Sequence, residues 1–115
     1  MKICNFSDIE PKVFPEPAKG AKGRVLIGKE DGAENFCMRL FELPPGTTTP
    51  RHTHAWEHEI FIHAGQGEVY REGTWTSVPS GSAVFIPGEE EHQFRCTGEE
   101  PLFFVCLIPA GPPEL

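Results

Sequence analysis

The stretch RHTHAWEHEIFIH, residues 51–63, carries four of the chain's five histidines, and the fifth, His92, stands alone further on. A neutral imidazole offers one nitrogen lone pair, and several converging at about 2.0–2.2 Å hold a transition ion. In an extended chain, side chains two residues apart point to the same face, so His52 and His54 present their rings in one direction. The intervening Ala55-Trp56-Glu57 lets the chain bend before His58. Ile60 and Ile62 share the parity of His58 and continue toward an interior, whereas Glu57, Glu59, Phe61 and His63 face the other way. His92 opens HQFRC behind the turn-forming IPGEEE, and Phe94 and Cys96 share its parity. Any one histidine is most often a surface or satisfied core residue. Three at this spacing, with a fourth at the head of a distant strand, point to a metal site.

These side chains need a scaffold that brings residue 92 beside residue 52, and the rest of the sequence reads as strands. They are RVLIG (24–28), FCMRLFEL (36–43), EIFIHA (59–64), EVYRE (68–72), TWTSV (74–78), SAVFI (82–86), HQFRC (92–96) and LFFVCLI (102–108). Each is bounded by Gly, Pro or acidic turn residues. Short strands at regular spacing, with no stretch suited to a helix, predict an all-β antiparallel sandwich or barrel. Residues 1–23 read as an irregular N-terminal extension, because EPKVFPEPAKGAKG breaks any helix. Residues 24–108 form the barrel, and 109–115 read as a loose C-terminal tail. Trp56 is expected to pack the histidine loop, Trp75 a hairpin, and Glu89-Glu90-Glu91 a solvated turn.

The 115 residues, with 12 Gly and 12 Pro, suit one hydrophobic core built from short strands and turns. The net charge of −7 argues against nucleic acid or an anionic membrane as partner, since both call for a basic surface. No apolar run approaches the roughly 20 residues of a spanning helix. The start, MKICNFSDIEPKVF, lacks the apolar centre of a signal peptide. Cys4, Cys37, Cys96 and Cys106 form no C-x-x-C pair, and the last three sit in apolar runs. Buried reduced thiols in a cytoplasmic protein are expected. Arg39 lies within the apolar CMRLF, where a cation needs a partner. A carboxylate is the first expectation and an anionic substrate the second.

Gly46, His52, His54 and Gly65 resemble the first motif of the cupins, small β-barrels of jelly-roll type. That motif reads G, five residues, H-x-H, three or four residues, E, six residues, G. Counting back from Gly65 puts His58 at the glutamate position. The alternative register makes Glu59 the ligand, but it sets Gln66 at the closing glycine and turns residue 59 away from His52 and His54. Gly81, Pro87 and His92 resemble the second motif, which reads G, five residues, P-x-G, two residues, H, three residues, N. Here the second glycine is displaced to Gly88, and Cys96 replaces the asparagine. The 15 residues between the motifs match the short, single-domain members.

The resemblance covers roughly residues 24–108 and implies a cupin barrel of the small four-histidine type, holding one divalent transition metal ion. Its ligands would be His52, His54, His58 and His92, with manganese or iron favoured and nickel, copper or zinc also suited to imidazole. Four neutral ligands leave the full dipositive charge on the ion, and open positions on it can take a chelating molecule or an oxidant. Phe94 by parity, and Phe104 and Cys106 by resemblance, would wall a substrate pocket together with Arg39. The implied function is a small-molecule oxidoreductase with dioxygenase-like chemistry. A non-catalytic metal or small-molecule binding module is the alternative, because no dedicated acid–base residue stands beside the ligands. By the same resemblance a symmetric homodimer is expected, with the N-terminal extension in contact. Imidazoles titrating near ~6.5 would make metal affinity fall steeply as pH drops through roughly 6 to 5.

Overall fold

The computed structural model describes all 115 residues. Its strands are β1 (Lys12–Val13), β2 (Lys22–Ile27), β3 (Phe36–Leu43), β4 (His58–Ala64), β5 (Gln66–Arg71), β6 (Thr74–Pro79), β7 (Ala83–Ile86), β8 (Gln93–Cys96) and β9 (Leu102–Pro109). All but β1 coincide with strands read from the sequence, with ends shifted by at most two residues. The only helical turns are short 3-10 segments at Phe6–Asp8 and Lys29–Asp31. No helix is long and apolar enough to cross a membrane.

Two antiparallel sheets face each other: six strands in the order β1-β2-β3-β9-β4-β7, and three in the order β6-β5-β8. The segment from Thr47 to His52 runs beside β8 as an irregular fourth strand. The Thr49 N–H donates to the Phe94 carbonyl at 2.8 Å, and His52 and His92 exchange backbone hydrogen bonds of 3.2 and 3.0 Å. PPGTTTP looks like a break in the chain, yet its second half carries His52 to the head of β8.

Alternation on each strand sends one set of side chains between the sheets. The buried set comprises Cys37 and Leu43 from β3, Ile60 and Ile62 from β4, Phe94 and Cys96 from β8, and Leu102, Phe104, Cys106 and Ile108 from β9. The product is an all-β, single-domain jelly-roll barrel. Gly65, which closes the first motif, takes φ +86° at the turn between β4 and β5. A β-carbon there would strike the Pro101 carbonyl oxygen.

The chain ends are tied to the barrel. Arg24 donates to the Ile9 carbonyl at 3.0 Å and pairs with Glu42 at 3.3 Å, while Phe6 packs on Phe103 with ring centroids 6.0 Å apart. The chain then pairs β1 with β2 and turns back through Phe14, whose N–H donates to the Ala21 carbonyl at 2.8 Å. The C-terminal tail, expected to be loose, is held: the Glu114 carboxylate accepts the Lys29 N–H at 2.9 Å. Of the cysteines, Cys37, Cys96 and Cys106 are buried free thiols, and Cys4 is exposed, against the expectation of burial.

Candidate metal centre

Four elements bring four imidazoles together. His58 opens β4 opposite Ile86 of β7, and His92 heads β8 beside His52. His54 sits in the connecting loop, with its ring stacked on Trp56 at 4.3 Å and 9°. Ligand nitrogens of His52, His54, His58 and His92 all lie within 4.8 Å of one another. His58 and His92 are buried, His54 is half-buried and His52 is exposed. His63, the fifth histidine, points out of the barrel, as its parity requires.

Hydrogen bonds assign the tautomers. His54 Nδ1 lies 2.8 Å from the Trp56 carbonyl, and His92 Nδ1 lies 2.8 Å from the Glu90 carbonyl. A carbonyl only accepts, so both Nδ1 atoms carry the proton and both Nε2 atoms keep a lone pair. Those lone pairs face other imidazole nitrogens: His54 Nε2 is 2.8 Å from His58 Nε2, and His92 Nε2 is 3.0 Å from His52 Nε2. Nitrogens bound to one ion at about 2.0–2.2 Å and at right angles stand about 3 Å apart. The cluster therefore fits a transition ion in donor type, tautomer and spacing.

The turn after β7 explains the displaced glycine. A β-carbon at Gly88 would collide with the Ala55 carbonyl oxygen, so this close approach requires glycine. The next residue, Glu89, adopts φ +69° where the family motif has glycine, and its N–H donates to the His54 carbonyl at 2.7 Å. The turn thus clasps the backbone on which His54 sits.

Arg39 corrects an expectation. None of the ion pairs includes it, so the anticipated carboxylate partner is missing. One guanidinium nitrogen instead donates to Cys106 Sγ at 2.9 Å and lies 3.4 Å from His58 Nδ1. Another reaches the Glu114 backbone carbonyl at 3.4 Å, and Nε finds no partner. The sulfur of Cys106 lies 3.1 Å from His58 Nδ1. A proton on Nδ1 can therefore be donated to that sulfur, leaving His58 Nε2 free as a ligand.

A cavity of about 450 Å³ adjoins the four rings. Phe94, Phe104, Cys106 and Arg39, the residues expected to wall a substrate pocket, all line this cavity. Phe104 stacks on Phe94 at 4.9 Å and on Phe41 at 5.5 Å, and the Arg39 guanidinium lies 4.9 Å from the Phe41 ring centre. Phe14 and Leu115, which no motif or periodicity singles out, also line it. Both come from chain ends, outside either motif. The sole carboxylate side chain on the wall is Glu16, which is exposed.

Withdrawal from water lowers the basicity of the rings. It brings His52 to about 4, assisted by His92, His54 and Arg39, although the residue as a whole remains exposed. It brings His58 to about 3, assisted first by the Arg39 guanidinium. His92 is also lowered by burial, against the opposing pull of the Glu90 carbonyl. These three rings stay neutral at pH values where free imidazole is protonated. Burial raises the Cys106 thiol, outweighing Arg39.

Fold and cluster together define a jelly-roll barrel with a four-imidazole centre beside an apolar cavity. The chain belongs to the cupin family: the Cupin domain matches residues 39–108. It is 34% identical, over 114 residues, to the oxalate-binding protein of Thermotoga maritima, covering 92% of each chain. Its fold overlays a polyketide cyclase from Streptomyces resistomycificus with a TM-score of 0.90 and 34% identity, over 98% of this chain and 82% of the cyclase. A Thermotoga maritima structure described as a predicted oxalate decarboxylase overlays with a TM-score of 0.83 and 26% identity, over 96% of this chain and 100% of the other.

Proposed function

We propose that His52, His54, His58 and His92 hold one divalent transition ion, manganese or iron in preference to nickel, copper or zinc. A small organic molecule would bind beside it for oxidative, dioxygenase-like chemistry. The observation that carries this reading is the convergence of four imidazole nitrogens within 4.8 Å beside a cavity. The ion, when bound, would supply a Lewis acid or redox centre whose full charge is left unneutralised by imidazole. The chain's own residues do the rest. The Trp56 and Glu90 carbonyls fix two ligand tautomers, and the Cys106 sulfur can accept the Nδ1–H hydrogen bond of a third. Phe94 and Phe104 exclude water from one side of the pocket.

A second reading is a binding module without turnover. It is favoured by the similarity to an oxalate-binding protein and by the lack of an interior carboxylate to move protons. Metal analysis of protein purified without added metal, followed by turnover assays under oxygen, separates the two. Stoichiometric metal with product formation supports the enzyme, and metal with ligand binding alone supports the module. Protein that retains no transition ion overturns the enzyme reading and leaves only a metal-free small-molecule module.

The reading extends to a symmetric homodimer, located by Phe61 and Phe85, which are 50% and 60% exposed on the outside of the six-stranded sheet.

A further inference from the structure

We infer that the ligand of this cavity is an organic anion with a chelating oxygen head and an apolar body, its negative charge taken by Arg39. The inference rests on the metal-site reading for the head alone; the charge and the body are argued from other residues.

Arg39 is 7% exposed, lines the cavity, and has no carboxylate within ion-pair distance. Its neighbours are an imidazole, the Cys106 sulfur, a backbone carbonyl and the Phe41 ring, with no carboxylate among them. Its Nε–H meets no acceptor at all. A buried guanidinium left without a counter-ion is costly, and the cavity is the open side from which one can arrive. Arg39 lies 3.4 Å from the His58 ring, so one small molecule can reach both the guanidinium and the imidazole centre. The one carboxylate side chain on the wall, Glu16, is exposed, whereas Arg39 is buried.

The remaining wall sets the body. Phe14, Phe41, Phe94 and Phe104, with Leu43 and Ile60, give this cavity of about 450 Å³ much of its apolar wall. Pockets of about 300–1,000 Å³ typically hold ligands of drug size. Oxalate would satisfy the charges, but it has no apolar part to cover these rings. A carboxylate with an attached ring or hydrocarbon chain satisfies both.

Calorimetric titration of the manganese-loaded full chain with oxalate, pyruvate and phenylpyruvate tests this, because the last two share a head and differ in body. Phenylpyruvate is expected to bind at least about tenfold more tightly than pyruvate or oxalate, from burial of its ring. Phe104→Ala should narrow that gap, and Phe14→Ala, at a half-buried position, repeats the test if the first variant folds poorly. Arg39→Gln, checked for retained metal, should weaken all three anions by at least about tenfold. Pyruvate or oxalate binding as tightly as phenylpyruvate overturns the apolar body. Unchanged affinities in a metal-retaining Arg39→Gln overturn its role. If the wild-type chain retains no transition ion, manganese and iron included, the chelating head falls together with the metal reading. The same titrations on metal-free protein then still decide the body and Arg39.

Discussion

The sulfur of Cys106 lies 3.1 Å from His58 Nδ1, and an Arg39 nitrogen donates to that sulfur at 2.9 Å. A thiol that accepts the Nδ1 proton keeps the Nε2 lone pair directed at His54, 2.8 Å away. Groups that orient a ligand in this way typically contribute about 10–100-fold to metal affinity. Cys106→Ala is expected to weaken metal binding to that extent, and Cys106→Ser, which keeps an acceptor, to recover most of it. Competition against a chelator of known affinity measures both. Equal losses in the two variants would mean that packing matters there and the hydrogen bond does not.

The register of the first motif gives a sharper contrast. His58 is buried beside the other three rings, whereas Glu59 is exposed on the opposite face and pairs with Phe85 and Leu107. His58→Ala and His52→Ala should each cost more metal affinity than the about 10–100-fold expected of a supporting group. Glu59→Ala should leave metal content nearly unchanged. Metal analysis of the three purified variants decides it, and loss confined to the Glu59 variant would reverse the assignment.

Much of this site was legible because strand alternation is local. The parity of His58, Ile60 and Ile62, and of His92, Phe94 and Cys96, follows from spacing alone, and all six are buried. The partners of Arg39 were not legible. Cys106 lies 67 residues away, and only the pairing of β3 with β9 sets Arg39 opposite it. The cavity wall contributed by Phe14 and Leu115 depends on how chain ends cross the barrel, which no periodicity encodes. The Gly88-Glu89 pair looked like a displaced motif residue. Its reason, the approach to Ala55 and His54, lies in a different loop.

That pair yields opposite stability effects at adjacent positions. Gly88→Ala places a β-carbon against the Ala55 carbonyl oxygen and should cost about 1–3 kcal/mol, with looser metal binding as His54 shifts. Glu89→Gly removes a side chain from a left-handed residue and should stabilise the fold by up to about 1 kcal/mol. Thermal melts of the metal-free variants test both signs. A destabilised Glu89→Gly would show that its side chain contributes more than its backbone strain costs.

Phe61 and Phe85 are diagonal neighbours on the outer face, since Phe61 pairs with Ala83 and Phe85 with Glu59. A second copy covering them would remove two large rings from water. Light scattering at micromolar concentration should therefore report twice 12.8 kDa, and a Phe61→Glu/Phe85→Glu double variant should report 12.8 kDa while keeping its metal. A wild-type chain that is monomeric at that concentration defeats the proposal.

The pH response follows from the lowered rings. His52 and His58 titrate at about 4 and about 3 in the folded chain, against about 6.5 when unfolded. Between those limits the unfolded chain binds more protons, so metal-free stability is complete above roughly 6.5 and is lost as pH falls toward 4 and then 3. The lowering of His92 acts in the same direction. Metal retention depends on the folded values, because protons displace the ion only once the folded rings begin to accept them. The chain should therefore hold its metal through the roughly 6 to 5 interval in which unshifted imidazoles release it, and lose it below about 5. Equilibrium dialysis at stepped pH, with melts of the metal-free protein alongside, measures the two curves. A release midpoint near 6 would mean that these rings are solvated like free imidazole, contrary to the burial of His58 and His92.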